Sequence, residues 1–200
     1  MAYTTYITTA SQLMVTAAYP AYPDGSYHRG MDTKVPGDTN RVLRAPTNAS
    51  IVRSEYGTGG NWSWGNFICG YNSSEGYTWL VAHLQNRLVV VGDTVNAGDV
   101  IGYYDSTGNV TGPHAHWEKH IGNGITNDLA EPDFVGVPNA IGTYDVEYGA
   151  PNPPDPPIPP AGRTDIFTLA SGIIPIITQL QSQGQLKQMV DATYLTWGKG

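Results

Sequence analysis

The stretch Thr107-Gly-Asn-Val-Thr-Gly-Pro-His-Ala-His-Trp-Glu118 sets two histidines one residue apart, directly behind a Gly-Pro turn and at the head of a Trp-Glu run that reads as the start of a strand. In a strand, alternate side chains share a face, so His114 and His116 point the same way and Ala115 points the other way. A sheet can present two imidazole nitrogens to one small target in this manner. Glu118 follows on the same face and can orient a ligand from behind. Alternation carries His120 to that face too, where a surface position is the expected reading and a peripheral substrate contact the alternative.

Two further histidines fall near carboxylates or strand ends. His28 and Asp32 lie in Tyr-His-Arg-Gly-Met-Asp, and His83 lies in Val-Ala-His-Leu, at the expected end of a strand. Imidazole and carboxylate form the ligand set of a catalytic zinc site, which takes three protein ligands and leaves one position open. Polar groups drawn from three separate segments therefore suggest a metal centre.

The ordered motifs are His28-Arg-Gly-Met-Asp32, Ala82-His83-Leu84, Gly92-Asp-Thr-Val-Asn-Ala-Gly-Asp-Val-Ile-Gly102 and Gly112-Pro-His114-Ala-His116. From about Tyr27 to Glu118 the chain thereby resembles the lysostaphin-like (LytM-type) zinc metallopeptidases, which cut the peptide part of bacterial peptidoglycan. The resemblance implies a mainly β, two-layer antiparallel fold and one Zn2+ per chain. It assigns His28, Asp32 and His116 as metal ligands, and His83 and His114 as the catalytic histidines that move protons and hold developing charge. Val81 and Trp117 depart from residues common in the family, but neither removes a ligand or an acid-base group.

Composition agrees with a turn-rich β protein: 40% of residues are hydrophobic, only 14% are charged, and there are 24 Gly and 13 Tyr. A net charge of -7 excludes the basic surface that nucleic acid requires. Cys69 is the only cysteine, so no intrachain disulfide and no cysteine zinc cluster can form, and its place in Asn-Phe-Ile-Cys-Gly-Tyr reads as a buried strand position. Asn66–Gly70 and Tyr77–His83 read as a hairpin across Asn72–Gly76. Met1–Ser26 reads as a β segment or an irregular lead-in. The glycine loop 57–65 carries Trp62 and Trp64, placed either to line a substrate groove or to cap the core.

The expected organisation is a peptidase domain over 1–150, with its motifs in 27–118, a proline-rich linker over 151–163 and an apolar to amphipathic tail, helical in part, over 164–200. Seven of the ten residues from Pro151 to Pro160 are proline, which gives a stiff extended spacer. The apolar run Ile166–Leu180 is broken by Pro175 and falls short of the ~18 residues of a membrane span.

No Lys or Arg precedes Arg29, so the basic region of a secretory signal is missing. A wall-cutting enzyme of this kind reads as carried in a phage virion or released from a lysed host, with the tail 164–200 binding phage tail proteins. The alternative is a non-catalytic lysostaphin-like module that serves a phage tail tip as a structural or wall-binding part.

Overall fold

The computed structural model describes residues 1–149. The expected linker over 151–163 and tail over 164–200 lie outside the described residues. Within them the mainly β expectation is met, and no helix is long and apolar enough to cross a membrane.

The strands are β1 (Tyr3–Thr5), β2 (Gln12–Ala17), β3 (Met31–Lys34), β4 (Val42–Arg44), β5 (Ala49–Tyr56), β6 (Asn66–Asn72), β7 (Tyr77–Arg87), β8 (Thr94–Val95), β9 (Val100–Tyr104), β10 (Ala115–Ile121), β11 (Leu129–Ala130) and β12 (Gly142–Tyr148). They form one twelve-stranded sheet along the path β1-β12-β2-β3-β10-β7-β6-β5-β8, with β11 on β10 and β9 joining β4 to β7. Every pair is antiparallel except β1 with β12. The N-terminal segment is therefore more than a lead-in, since β2 pairs with both β3 and β12.

β7 is the centre of this arrangement. Its run Tyr77-Thr-Trp-Leu-Val-Ala is buried throughout, as a strand covered on both faces requires. Tyr77, Trp79 and Val81 enter the main core with Trp117, Met31 and Ile101. Leu80 and Ala82 face the other way, into a smaller cluster with Trp64, Phe67 and Cys69. Cys69 is fully buried as expected, and burial pushes its thiol pKa up.

Register carries this division across the sheet. His116 pairs with Ala82 on one side and Asp32 on the other, while Trp117 pairs with Val81 and Met31. Odd residues of β10 and β3 thus supply the core, and even residues supply the opposite, functional face. Gly30 permits the close approach: a Cβ there would lie 1.9 Å from the Trp117 carbonyl oxygen. The strand following the Asn72–Gly76 turn runs on to Arg87, so His83 stands within β7 and not at its end.

Candidate metal centre

His28, Asp32 and His116 bring one ligand atom each to within 4.8 Å of one another. The edges of the triangle are 3.1 Å between His28 Nε2 and His116 Nδ1, 2.8 Å between His116 Nδ1 and Asp32 Oδ1, and 3.2 Å between His28 Nε2 and Asp32 Oδ1. Ligands about 2.0–2.1 Å from a tetrahedral zinc stand about 3.3–3.4 Å apart, so a few tenths of an ångström of opening would fit the ion.

The outer contacts decide which nitrogens face inward. His28 Nδ1 donates to the Ala18 carbonyl at 3.0 Å, which leaves the Nε2 lone pair on the triangle. His116 Nε2 donates to Glu118 Oε1 at 3.0 Å, which leaves the Nδ1 lone pair there. Two lone pairs and a carboxylate oxygen then converge in a site where the three residues are at most 6% exposed. Such a donor set needs a cation between its members, a proton or a metal ion.

Without metal the proton takes this place. Burial disfavours charge on His116, but hydrogen bonds and attraction from Asp32 and Glu118 outweigh it and raise its pKa to about 9. Burial likewise opposes the charge on Asp32, and His116 and His28 overcome it, holding the carboxyl well below the usual carboxylate range.

His83 and His114 adjoin the triangle. His114 Nδ1 donates to the Gly112 carbonyl at 2.8 Å and its Nε2 lies 3.6 Å from Asp32 Oδ1. His83 Nδ1 donates to the Thr107 carbonyl at 2.9 Å, leaving Nε2 as an acceptor. Its ring centre lies 4.8 Å from that of His114 and 5.7 Å from that of His116. Burial first, then the neighbouring charge of His116 and His114, lowers its pKa to about 3, so it is neutral at pH 7.

The route by which His83 reaches the site is not simple alternation. As an odd residue after Tyr77, Trp79 and Val81 it would enter the core. Instead the register shifts between Asn66 and Ile68 opposite, and His83 adopts φ 66°, in the left-handed region. This bulge turns the imidazole to the functional face, and Leu84 resumes the core. A non-glycine residue held at positive φ is costly, and such residues gather at functional sites.

Glu118 anchors the cluster from behind. It is fully buried, with Oε1 accepting from His116 and, at 3.0 Å, from the Trp64 indole, and with Oε2 at 3.3 Å from Arg29 Nε. Burial works against its charge, yet His116, His120 and Arg29 prevail and hold its pKa well below the usual range. His120 is fully buried and neither at the surface nor in contact with the cleft, which corrects both sequence readings. Its Nε2 lies 3.0 Å from Glu118 Oε2, off the angle of a well-formed hydrogen bond. Alternation placed it on the right face, but β11 and the Thr126 segment cover that end of β10.

Replacing Glu118 with glutamine is expected to weaken metal binding by about 10–100-fold, the usual cost of altering the group that a ligand histidine hydrogen-bonds. The measurement is competition with a zinc chelator, with tryptophan fluorescence reporting on Trp64. Unchanged affinity would contradict the anchoring.

A cleft of about 190 Å³ opens over the triangle, lined by Tyr22, Tyr27, Arg29, Trp64, His83 and Asn109 among others. Trp64 both lines it and packs in the smaller cluster, while Trp62 is 57% exposed. Tyr22 was not foreseen: its ring stacks on His28 at 4.0 Å, and burial followed by the charges of Asp32, Glu118 and Asp24 pushes its phenol up to about 12. The turn Pro20–Pro23 signals a bend before His28 but nothing about which side chain returns over the imidazole.

A buried triangle of two histidines and one carboxylate, open to a cleft and flanked by two more imidazoles, is the equipment of a hydrolytic metal centre. The chain belongs to peptidase family M23, whose sequence model matches residues 26–128. It is 36% identical over 113 residues to the peptidoglycan DD-endopeptidase ShyC of Vibrio cholerae, a match covering 56% of this chain and 24% of that protein. It is 32% identical over 115 residues to lysostaphin of Staphylococcus simulans, covering 56% of this chain and 22% of that one. An endolysin of Staphylococcus phage 2638A is 34% identical over 100 residues, covering 46% of this chain and 18% of the endolysin. The matches thus take in about a quarter or less of each of these three relatives. Among solved structures, lysostaphin of S. simulans superposes with a TM-score of 0.52 at 27% identity, covering 61% of this chain and 48% of that one.

Proposed function

We propose that the chain is a zinc-dependent endopeptidase that hydrolyses peptide bonds of bacterial peptidoglycan. The observation that carries this reading is the triangle of His28 Nε2, Asp32 Oδ1 and His116 Nδ1, whose edges of 2.8 to 3.2 Å and outer hydrogen bonds suit a tetrahedral ion. When bound, zinc supplies Lewis acidity, which polarises a carbonyl and acidifies water. His28, Asp32 and His116 would hold it, with Glu118 fixing the tautomer and ring orientation of His116.

His83, neutral and with Nε2 unshielded, accepts the proton of the attacking water. His114, its ring centre 4.8 Å from that of His83, steadies the developing oxyanion and carries a proton to the leaving amine. Trp64 and Tyr22 wall the cleft and limit the water that reaches it. All five expected positions are filled, which supports an enzyme over a non-catalytic module. Delivery by a bacteriophage, in a virion or after host lysis, belongs to this proposal and rests on the likeness to the phage endolysin. Attachment of 164–200 to phage tail proteins is proposed on sequence grounds alone, and deleting the segment should release the chain from virions.

The test is digestion of purified peptidoglycan of several wall types, with zinc content and new amino termini measured together. Release of peptides with zinc near one per chain is expected, and the new termini identify the bond. Bound zinc with every wall left intact would overturn the enzymatic reading.

The metal-free chain should also show a distinctive pH dependence. His116 has its folded pKa raised from 6.5 to about 9, so its contribution to stability is complete below about 6.5 and is lost as pH rises towards 9. His83 has its pKa lowered to about 3, so stability is lost as pH falls below about 6.5, and the depressed pKa values of Asp32 and Glu118 extend that loss at lower pH. Thermal unfolding with chelator present should therefore be most resistant near pH 6.5. Saturating zinc should flatten the alkaline side, because the metal replaces the proton on His116. A flat metal-free profile from 6.5 to 9 would contradict this account.

A further inference from the structure

A second pocket, of about 220 Å³, lies beside the metal triangle and is lined by Lys34, Asp38, Arg41, Tyr104 and Pro113 among others. Two links tie it to the site. Pro113 immediately precedes His114, and Lys34 follows Asp32 by two positions on β3, so the two side chains share a face about 7 Å apart along the strand.

The groups in this pocket are set up for an anion. Lys34 is half-buried and its side chain has no hydrogen bond or ion pair among the described residues. Arg29, Arg53 and Lys119, by contrast, each meet a carboxylate. Arg41 is held at φ 56°, one of two non-glycine residues with positive φ among those described, the other being His83. Its backbone N–H bonds Asp38 Oδ2 at 2.9 Å and its guanidinium bonds Asp105 Oδ1 at 2.6 Å, which fixes the side chain and leaves other N–H groups unassigned. The Tyr104 hydroxyl accepts from the Val35 N–H at 3.1 Å, so its own proton remains to be donated. Asp38 is the lone acid in the lining, and its two oxygens are occupied by the N–H groups of Asn40 and Arg41. Arg41 is already balanced by Asp105, so Lys34 is the cation of this lining left without a carboxylate partner among the described residues.

We infer that this pocket is a carboxylate-binding subsite, in which Lys34, with Arg41 and Tyr104 beside it, holds a free carboxylate of the peptide substrate one or two residues from the bond presented to the metal. This deepens the function proposed above and rests on it for the substrate. Strain at Arg41 then has the same meaning as strain at His83: each bends the backbone to aim a side chain at the substrate. A fixed cation at this distance selects peptides that carry a negative charge in register with the scissile bond, and disfavours the corresponding amides.

The subsite is tested directly on the full zinc-loaded chain by nuclear magnetic resonance, with N-acetylglycine, N-acetylglycinamide and inorganic phosphate as probes. N-acetylglycine should shift the backbone amides from Lys34 to Arg41, the glycinamide should not, and the response should vanish in Lys34→Gln and return in Lys34→Arg. Equal shifts with the amide, a stronger response to phosphate, or an undiminished response in Lys34→Gln would each overturn the assignment. This readout needs no turnover, so it separates failure of the subsite from failure of the peptidase reading. On a peptide cut by the wild type, Lys34→Gln should raise KM about tenfold with kcat unchanged, and amidation of the recognised carboxylate should raise KM for the wild type but not further for the variant. Additive effects of the two changes would also overturn it.

Discussion

Replacement of His116 by alanine is expected to remove bound zinc and lower peptidoglycan hydrolysis by at least about a thousandfold, as loss of several kcal/mol of metal-derived stabilisation implies. His116 makes more of the site's contacts than either companion. Its Nδ1 completes the triangle, and its Nε2 satisfies a carboxylate that is fully buried. Alanine therefore deletes a ligand and also leaves Glu118 short of a donor, which costs stability of roughly 1–3 kcal/mol or more because the stranded group is charged. Glu118→Gln keeps all three ligands and strands no charge, so comparison with it separates loss of the ligand from loss of the charged contact behind His116. Zinc analysis, thermal unfolding and wall digestion on the same preparations make the comparison. Full zinc content in His116→Ala would refute the ligand assignment.

Replacement of His83 by asparagine is expected to lower kcat by about 10²–10⁴-fold while zinc content and thermal stability stay near wild type. Asparagine suits this position because it tolerates the left-handed region better than most residues, so the bulge survives and only the imidazole is lost. The neutral amide also keeps a polar group against the Thr107 carbonyl. Retained zinc with a collapsed kcat would separate proton transfer from metal binding. An activity close to wild type would exclude His83 as the base and move that task to His114.

Much of the site was legible because it is local. His114 and His116 share a face, as the two-residue period of a strand requires. Cys69 was readable as buried from its apolar neighbours. Glu118 was placed correctly for the same reason as His116. Trp64 was readable as lining a groove or capping the core, and it does both, but its indole bond to Glu118 joins residues 54 positions apart, and no local period encodes such a pair. The Arg29 bond to Glu118 spans 89 positions and was equally hidden.

His120 and His83 mark where the period of two fails, each for a different reason. For His120 the face was correct and the environment was not: exposure depends on what the rest of the chain lays over a strand, and here β11 and Thr126 enclose it. For His83 the face itself changes, because β7 carries one residue more than β6 between matched pairs and the surplus is absorbed at φ 66°. The sequence by itself determined the residue types, their order and the strands that alternate them, since those depend on near neighbours. The tertiary structure alone decided how the triangle closes, how Glu118 keeps its charge in the interior and which way His83 turns, since each depends on register between strands distant in the chain.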